Sequence, residues 1–175
     1  IFSNDTKGSG DSEAALTWAA QHGAIIAQNS WGFDPDTNGD GIVSTMEAMA
    51  WRNTKISSSL KQSIDYFIKY AGCDSDGNQL PDSMMKGGVV IFAAGNSGID
   101  YDPIGAYEPV VAVGAIDSKG YRASYSNYGD WVDICAPGSD IYSTIPNASY
   151  GSNTGTSMAC PHVSGVAALI ASFDG

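Results

Sequence analysis

Apolar residues along the chain fall into two kinds of run. In some they recur every three or four positions, the spacing of an amphipathic helix; in others they are continuous over a strand's length, as in a strand buried on both faces. Segment 11–22 (DSEAALTWAAQH) is of the first kind. Asp11 stands where an N-cap belongs, Ala15, Trp18, Ala19 and His22 share a face, and Gly23 takes the C′ position. Segment 57–71 repeats the pattern with Leu60, Ile64, Phe67 and Ile68, and Gly72 ends it. Segment 33–55 is polar and rich in Gly and Asp, turning helical from about Ser44, and 73–83 is a polar loop. A last helix is predicted over 157–173. Segments 24–29, 88–94 (GVVIFAA) and 110–116 (VVAVGAI) are of the second kind, with shorter strands expected at 131–135 and 141–145. Strands alternating with helices predict an α/β fold in three layers, a mostly parallel sheet flanked by helices. Chemistry in such folds gathers at the carboxyl ends of the strands.

Length and composition narrow the picture. The 175 residues suit one domain, and 43% hydrophobic against 15% charged residues is a globular balance. Eight Lys and Arg against 19 Asp and Glu give a net charge of -11. That excludes nucleic acid and anionic lipid as partners and leaves metal cations open. No apolar run approaches the ~18 residues of a membrane span. Cys73, Cys135 and Cys160 make no C-x-x-C spacing, and the sequons at Asn4 and Asn147 are at chance frequency. The chain opens on Ile1-Phe2 without an initiator Met, which leads us to expect part of a longer polypeptide.

One string carries chemistry on its face: Gly155-Thr156-Ser157-Met158-Ala159-Cys160-Pro161-His162-Val163-Ser164-Gly165. Proline is tolerated only in a helix's first turn, so Pro161 sets the helix start close to Ser157. Ser157 then sits among unpaired N–H groups at the positive end of the dipole. Read locally, Ser157 is either a helix cap or a nucleophile whose attack creates an oxyanion. Asn96, in Asn96-Ser97-Gly98, is either a turn residue or an oxyanion donor, and Trp31 is either core or site.

The string resembles the nucleophile motif of the subtilisin-like serine proteases. Ala93-Ala94-Gly95-Asn96-Ser97-Gly98 resembles that family's oxyanion segment, and Asn29-Ser30-Trp31-Gly32 its substrate-lining strand. Val111-Ala112-Val113-Gly114-Ala115 and Ala136-Pro137-Gly138 fit in the same order. The resemblance implies a serine endopeptidase with a polypeptide substrate. Ser157 would be the acyl-forming nucleophile, and Asn96 the side-chain donor of the oxyanion hole. Ser30, Trp31 and Gly32 would pair with substrate backbone, and Ala93, Ala94 and Gly95 would floor a pocket for a large apolar side chain. Residues 1–175 would be part of a peptidase domain with an insertion at about 33–87, secreted or in the cell envelope. No cofactor is implied for catalysis.

The family's Asp-[Ser/Thr]-Gly and His-Gly-[Thr/Ser] segments are absent. His22-Gly23 ends the first helix, His162 is five positions past Ser157 and points away from it, and Asp5 and Asp11 lack the family's context. The expectation is a chain inactive by itself. The alternatives are a pseudoprotease that binds peptide without cleaving it and a calcium-dependent interaction module. In the family the Asp-bearing strand pairs inside the sheet, so the resemblance implies an uncovered edge at the strand ending in Ile1-Phe2 and, with it, self-association as a homo-oligomer.

A second motif lies in the insertion. Asp36-Thr37-Asn38-Gly39-Asp40-Gly41-Ile42-Val43-Ser44-Thr45-Met46-Glu47 matches the EF-hand loop at every defined position. Asp36, Asn38, Asp40, the Ile42 carbonyl, Ser44 through water and Glu47 would be the ligands, and the predicted ion is Ca²⁺ in a structural role. No helix obviously enters the loop, so it resembles a dockerin-type half EF-hand; the plain alternative is an acidic surface loop. Asp74-Ser75-Asp76-Gly77-Asn78 lacks the later Gly and Glu and reads as a loop.

Overall fold

The computed structural model describes residues 11–174, with the backbone alone at Asp174. Helix α1 (Ser12–Gln21) is capped by the Asp11 carboxylate, which accepts the Ala14 N–H. Strand β1 (Ile26–Asn29) leads into the stretch that holds α2 (Thr45–Trp51) and α3 (Ser58–Tyr70). Ser44 and Ser57 cap these helices, and Ser44 forms a full capping box with Glu47. Strands β2 (Val89–Ala93), β3 (Val111–Ile116) and β4 (Ile134–Pro137) follow, then a hairpin of β5 (Ile141–Ile145) and β6 (Ser149–Asn153). Helix α4 (Thr156–Asp174) closes the described chain.

The sheet has the order β1-β2-β3-β4, and every pair is parallel. Alternate residues of β2 feed different cores, as a pleated strand must. Val90 and Phe92 pack with Leu16, Leu60, Ile64 and Phe67 from α1 and α3. Ile91 packs on the other face with Val113, Ala159 and Cys160, the last two from α4. The result is the expected three layers, with α1 and α3 on one face and α4 across the other.

Two local expectations shift. The strand expected at 131–135 begins at Ile134, because the residues before it are held in a turn: Val132 N–H donates to the Gly129 carbonyl at 3.1 Å, and the Trp131 indole donates to the Asp100 carbonyl at 3.0 Å. On α1 the buried residues are Leu16 and Ala20, while Trp18 is 60% exposed and stacks on His22 at 3.8 Å. α1 packs beside α3, which turns the Leu16–Ala20 stripe inward. The edge expected at Ile1-Phe2 lies outside the described residues.

Candidate active site

The carboxyl ends of β1 and β2 and the amino end of α4 meet around one cavity of about 550 Å³. Ser30, Trp31, Gly32, Ala93, Gly95, Asn96 and Ser157 all line it. Ala94 is fully buried and turned into the core, and it is not part of the lining. Trp31 serves both of its readings: it lines the cavity, packs edge-on against Phe92 at 5.0 Å, and donates its indole N–H to Asn29 Oδ1 at 3.1 Å. Asn29 is itself buried, and its amide is tied to the Ala27 and Ile91 carbonyls.

Ser157 lies in the first turn of α4 and is tied to the end of β1 twice. Its Oγ donates to the Ser30 carbonyl at 3.3 Å, and Ser30 Oγ donates to the Ser157 carbonyl at 2.8 Å. Thr156 N–H is taken by Asn96 and Met158 N–H by the Gly155 carbonyl. Between them, the Ser157 N–H makes no hydrogen bond to a described residue, as expected for an orphan donor of a helix's first turn.

Asn96 is oriented chemically as well as sterically. One atom of its amide accepts from Thr156 N–H at 2.8 Å and from Thr156 Oγ1 at 2.9 Å. A backbone N–H can only donate, so that atom must be Oδ1, and the NH₂ bonds no described residue. The free NH₂ and the orphan Ser157 N–H are the two kinds of donor that stabilise an oxyanion. Thr156 is the hub: fully buried, it also accepts the Gly95 N–H at 3.1 Å. Asn127, also buried, braces the loop after β2 by accepting from Ser97 and Ile99 N–H at 3.1 Å each. Gly95 has φ +98, and a Cβ there would lie 2.4 Å from Asn127 Nδ2, so only glycine fits between β2 and that brace. Thr156 and Asn127 escaped the sequence reading. Thr156 stood beside the more conspicuous serine, and Asn127 lies in a turn far from either motif.

Neither histidine joins the cavity. His22 caps α1 with its Nδ1 2.7 Å from the Trp18 carbonyl, and His162 Nδ1 is 2.8 Å from the Met158 carbonyl on its own helix. Both are exposed. Cys160 is buried behind the site against the Asn29 and Ile91 carbonyls, and desolvation pushes its thiol above the ordinary range.

Loop 36–47 borders the same cavity through Asp36, Gly41 and Val43. Asp36 accepts the Gly39 and Gly41 N–H groups, Asn38 accepts from Asp40, and Asp40 from Ile42. Glu47 accepts at both oxygens, from Thr37 and Asn38 on one side and Ser44 on the other. These bonds hold its carboxyl far below the usual range, at about 2, the Ser44 backbone N–H contributing most. Among the described residues no three His, Cys, Asp or Glu side chains converge as a ready metal cluster.

Comparisons with known proteins point one way. The family model described as Subtilase family matches residues 1–174. The chain is 50% identical over 107 residues to a thermophilic serine proteinase of Bacillus sp. (strain AK1), covering 58% of this chain and 26% of that protein. It is 38% identical over 136 residues to the major intracellular serine protease of Bacillus subtilis (strain 168), covering 71% and 42%. Among solved structures, a cold adapted subtilisin-like serine proteinase aligns with a TM-score of 0.62 at 30% identity, over 94% of this chain and 49% of that one. The protease domain of PatA (S218A mutant) aligns at 0.68 and 27% identity, over 97% and 52%. The chain thus spans about half the length of these structures, and less of the curated relatives.

Proposed function

The chain belongs to the subtilase family, and from that premise we propose that it is the nucleophile-bearing part of a serine endopeptidase. Ser157 Oγ attacks the scissile carbonyl and forms the acyl-enzyme. The Ser157 N–H and the Asn96 NH₂ hold the developing oxyanion. Ser30, Trp31 and Gly32 pair with the substrate backbone, and Ala93 and Gly95 leave room for a substrate side chain. The observation that carries this reading is the doubly anchored Asn96 amide, whose oxygen is consumed by Thr156 and whose NH₂ is left beside an unpaired helix N–H.

A serine needs a base and a group that orients the base. Here Ser157 Oγ meets the Ser30 carbonyl, and neither histidine lines the cavity. We assign the Asp and His to a segment outside these 175 residues, and the chain by itself to the inactive state. Assay of peptide-anilide hydrolysis tests both points. The chain alone should give no turnover; joined to the Asp- and His-bearing half of a subtilase it should hydrolyse the anilide, and Ser157→Ala should abolish that. Turnover by the chain alone that Ser157→Ala removes would contradict the assignment. A joined protein that binds peptide without cleaving it would favour the pseudoprotease reading. Secretion or an envelope location follows family habit, though one relative is named an intracellular protease. Self-association through the strand ending in Ile1-Phe2 belongs to the same proposal; a clean monomer in light scattering at high concentration would refute it.

Loop 36–47 is assigned to Ca²⁺ in a structural role. Its donor set is all oxygen (Asp36, Asn38, Asp40, the Ile42 carbonyl, Ser44 and Glu47), the chemistry a hard cation takes. Its two glycines at φ +75 and +81 give the tight curl of such loops. Glu47 would have to leave Thr37 and Ser44 to reach the ion. Calorimetry decides: Ca²⁺ should bind the wild type and not Asp36→Ala, and equal heats from both would leave an acidic surface loop.

A further inference from the structure

Asp102 is a carboxylate in the cavity wall that the proposed reaction does not use. It is only 6% exposed and lines the same cavity as Ser157 and Asn96. Its Oδ1 accepts the Ile104 N–H at 2.9 Å and the Gly105 N–H at 2.8 Å. Its Oδ2 accepts from no described residue, and it forms no ion pair with one. That oxygen is not sealed in either: among the described residues Trp51 Nε1 is the sole fully enclosed side-chain polar atom without a partner. A half-paired, largely buried carboxylate that lines this cavity has one acceptor left to offer there.

The rest of the lining carries the same sign. Asp34 and Asp36 are its other charged residues, and no Lys, Arg or His is present. Asp34 and Asp36 already accept backbone N–H groups and are more open to solvent. Asp102 is therefore the charge of the lining that has no cationic partner among the described residues where water screens least. A buried carboxylate wants a donor cation, and a guanidinium or ammonium supplies both charge and hydrogen bonds.

We propose that Asp102 is a specificity-determining residue, which makes the pocket select polypeptide substrates that present a Lys or Arg side chain beside the cleaved bond. The inference rests on the endopeptidase reading and replaces the large apolar side chain expected from small pocket residues.

Equilibrium binding separates the two. Benzamidinium and neutral benzamide, nearly equal in shape, are titrated into the 175-residue chain by calorimetry in chelator-containing buffer. The cation should bind about tenfold or more tightly than the amide. Asp102→Asn keeps an acceptor for Ile104 and Gly105 while removing the charge, and it should erase that preference with an unchanged circular dichroism spectrum. Equal binding of both probes by the wild type, or a preference that survives in Asp102→Asn, overturns the proposal. Should the variant misfold, the wild-type comparison still decides. No hydrolysis is involved, so a cation preference without Ser157-dependent turnover would sink only the enzyme reading, and turnover without the preference only this one.

Discussion

Thr156 shows how little of the proposed catalytic arrangement resides in the residue proposed to react. Its hydroxyl joins the end of β2 to the start of α4 and fixes which end of the Asn96 amide points out. Replacing Asn96 by Leu should lower kcat of the completed enzyme ~10²–10³-fold with KM little changed, a range established for subtilisin itself rather than obtained from this structure. Thr156→Val keeps the shape and the backbone N–H to Asn96 but strands the Gly95 N–H. It should cost stability by about 1–3 kcal/mol, measured by denaturant unfolding, and lower kcat less than loss of Asn96 does. Burial raises the Asp102 carboxyl above its ordinary value. An acid that titrates higher when folded stabilises the fold at low pH and ceases to as pH rises through its folded value. Asp102→Asn should therefore melt above the wild type at pH 7, and the gap should close as pH falls below the ordinary carboxylate range.

At the scale of elements, the periodicities named the right segments because the core they serve is local. Strands β2 and β3 are uninterrupted apolar runs and lie in the middle of the sheet; helix α3 buries Leu60, Ile64 and Phe67 as its spacing required. What was not legible depended on contacts between distant segments. The start of β4 is displaced by a turn whose tryptophan reaches back to Asp100, and Asn127 braces a loop about thirty positions earlier; no pattern inside either segment encodes its partner. The serine motif was legible because proline and small residues leave a local mark, whereas the carboxylate in the wall was not, since Asp102 stands in an ordinary turn sequence. The α2 start was legible as a change in polarity at Ser44, and the structure adds the box with Glu47. With its folded value depressed to about 2, Glu47 stays ionised well below an ordinary glutamate. The box is thus present above the unfolded value and is lost only as pH falls from there through about 2. Carbon-detected NMR of the side-chain carboxyl should show one titration near 2; a midpoint above 4 would mean that the Ser44 and Thr37 bonds do not persist in solution.

The molecule as a whole is asymmetric about its sheet. One face is closed by α1 and α3, while α4 on the other leaves Val166, Leu169, Ile170 and Phe173 more than half exposed. That helix has the length and mean composition of a membrane span, although Ser, Gly, Pro and His interrupt its apolar run, while its Ala159 and Cys160 pack in the core against the sheet. Its amino end carries the site and its apolar outer stripe has no partner among the described residues, so substitution of Leu169 and Ile170 by Glu should raise solubility without shifting benzamidinium affinity. The charge of -11 is divided as well: part of it stands at the cavity as Asp34, Asp36 and Asp102.

The paired bonds between Ser30 and Ser157 bridge 127 positions of chain. Both proposed oxyanion donors and the proposed nucleophile depend on α4 lying across strands made long before it. A ribosome delivers residues in order at ~5–20 per second. On the proposed roles, the growing polypeptide of the completed enzyme has these sheet strands and the wall of the pocket before it has an attacking group, and until then the cleft cannot turn on the chain that is building it. Assembly of the centre is timed by topology: it waits for α4 to dock.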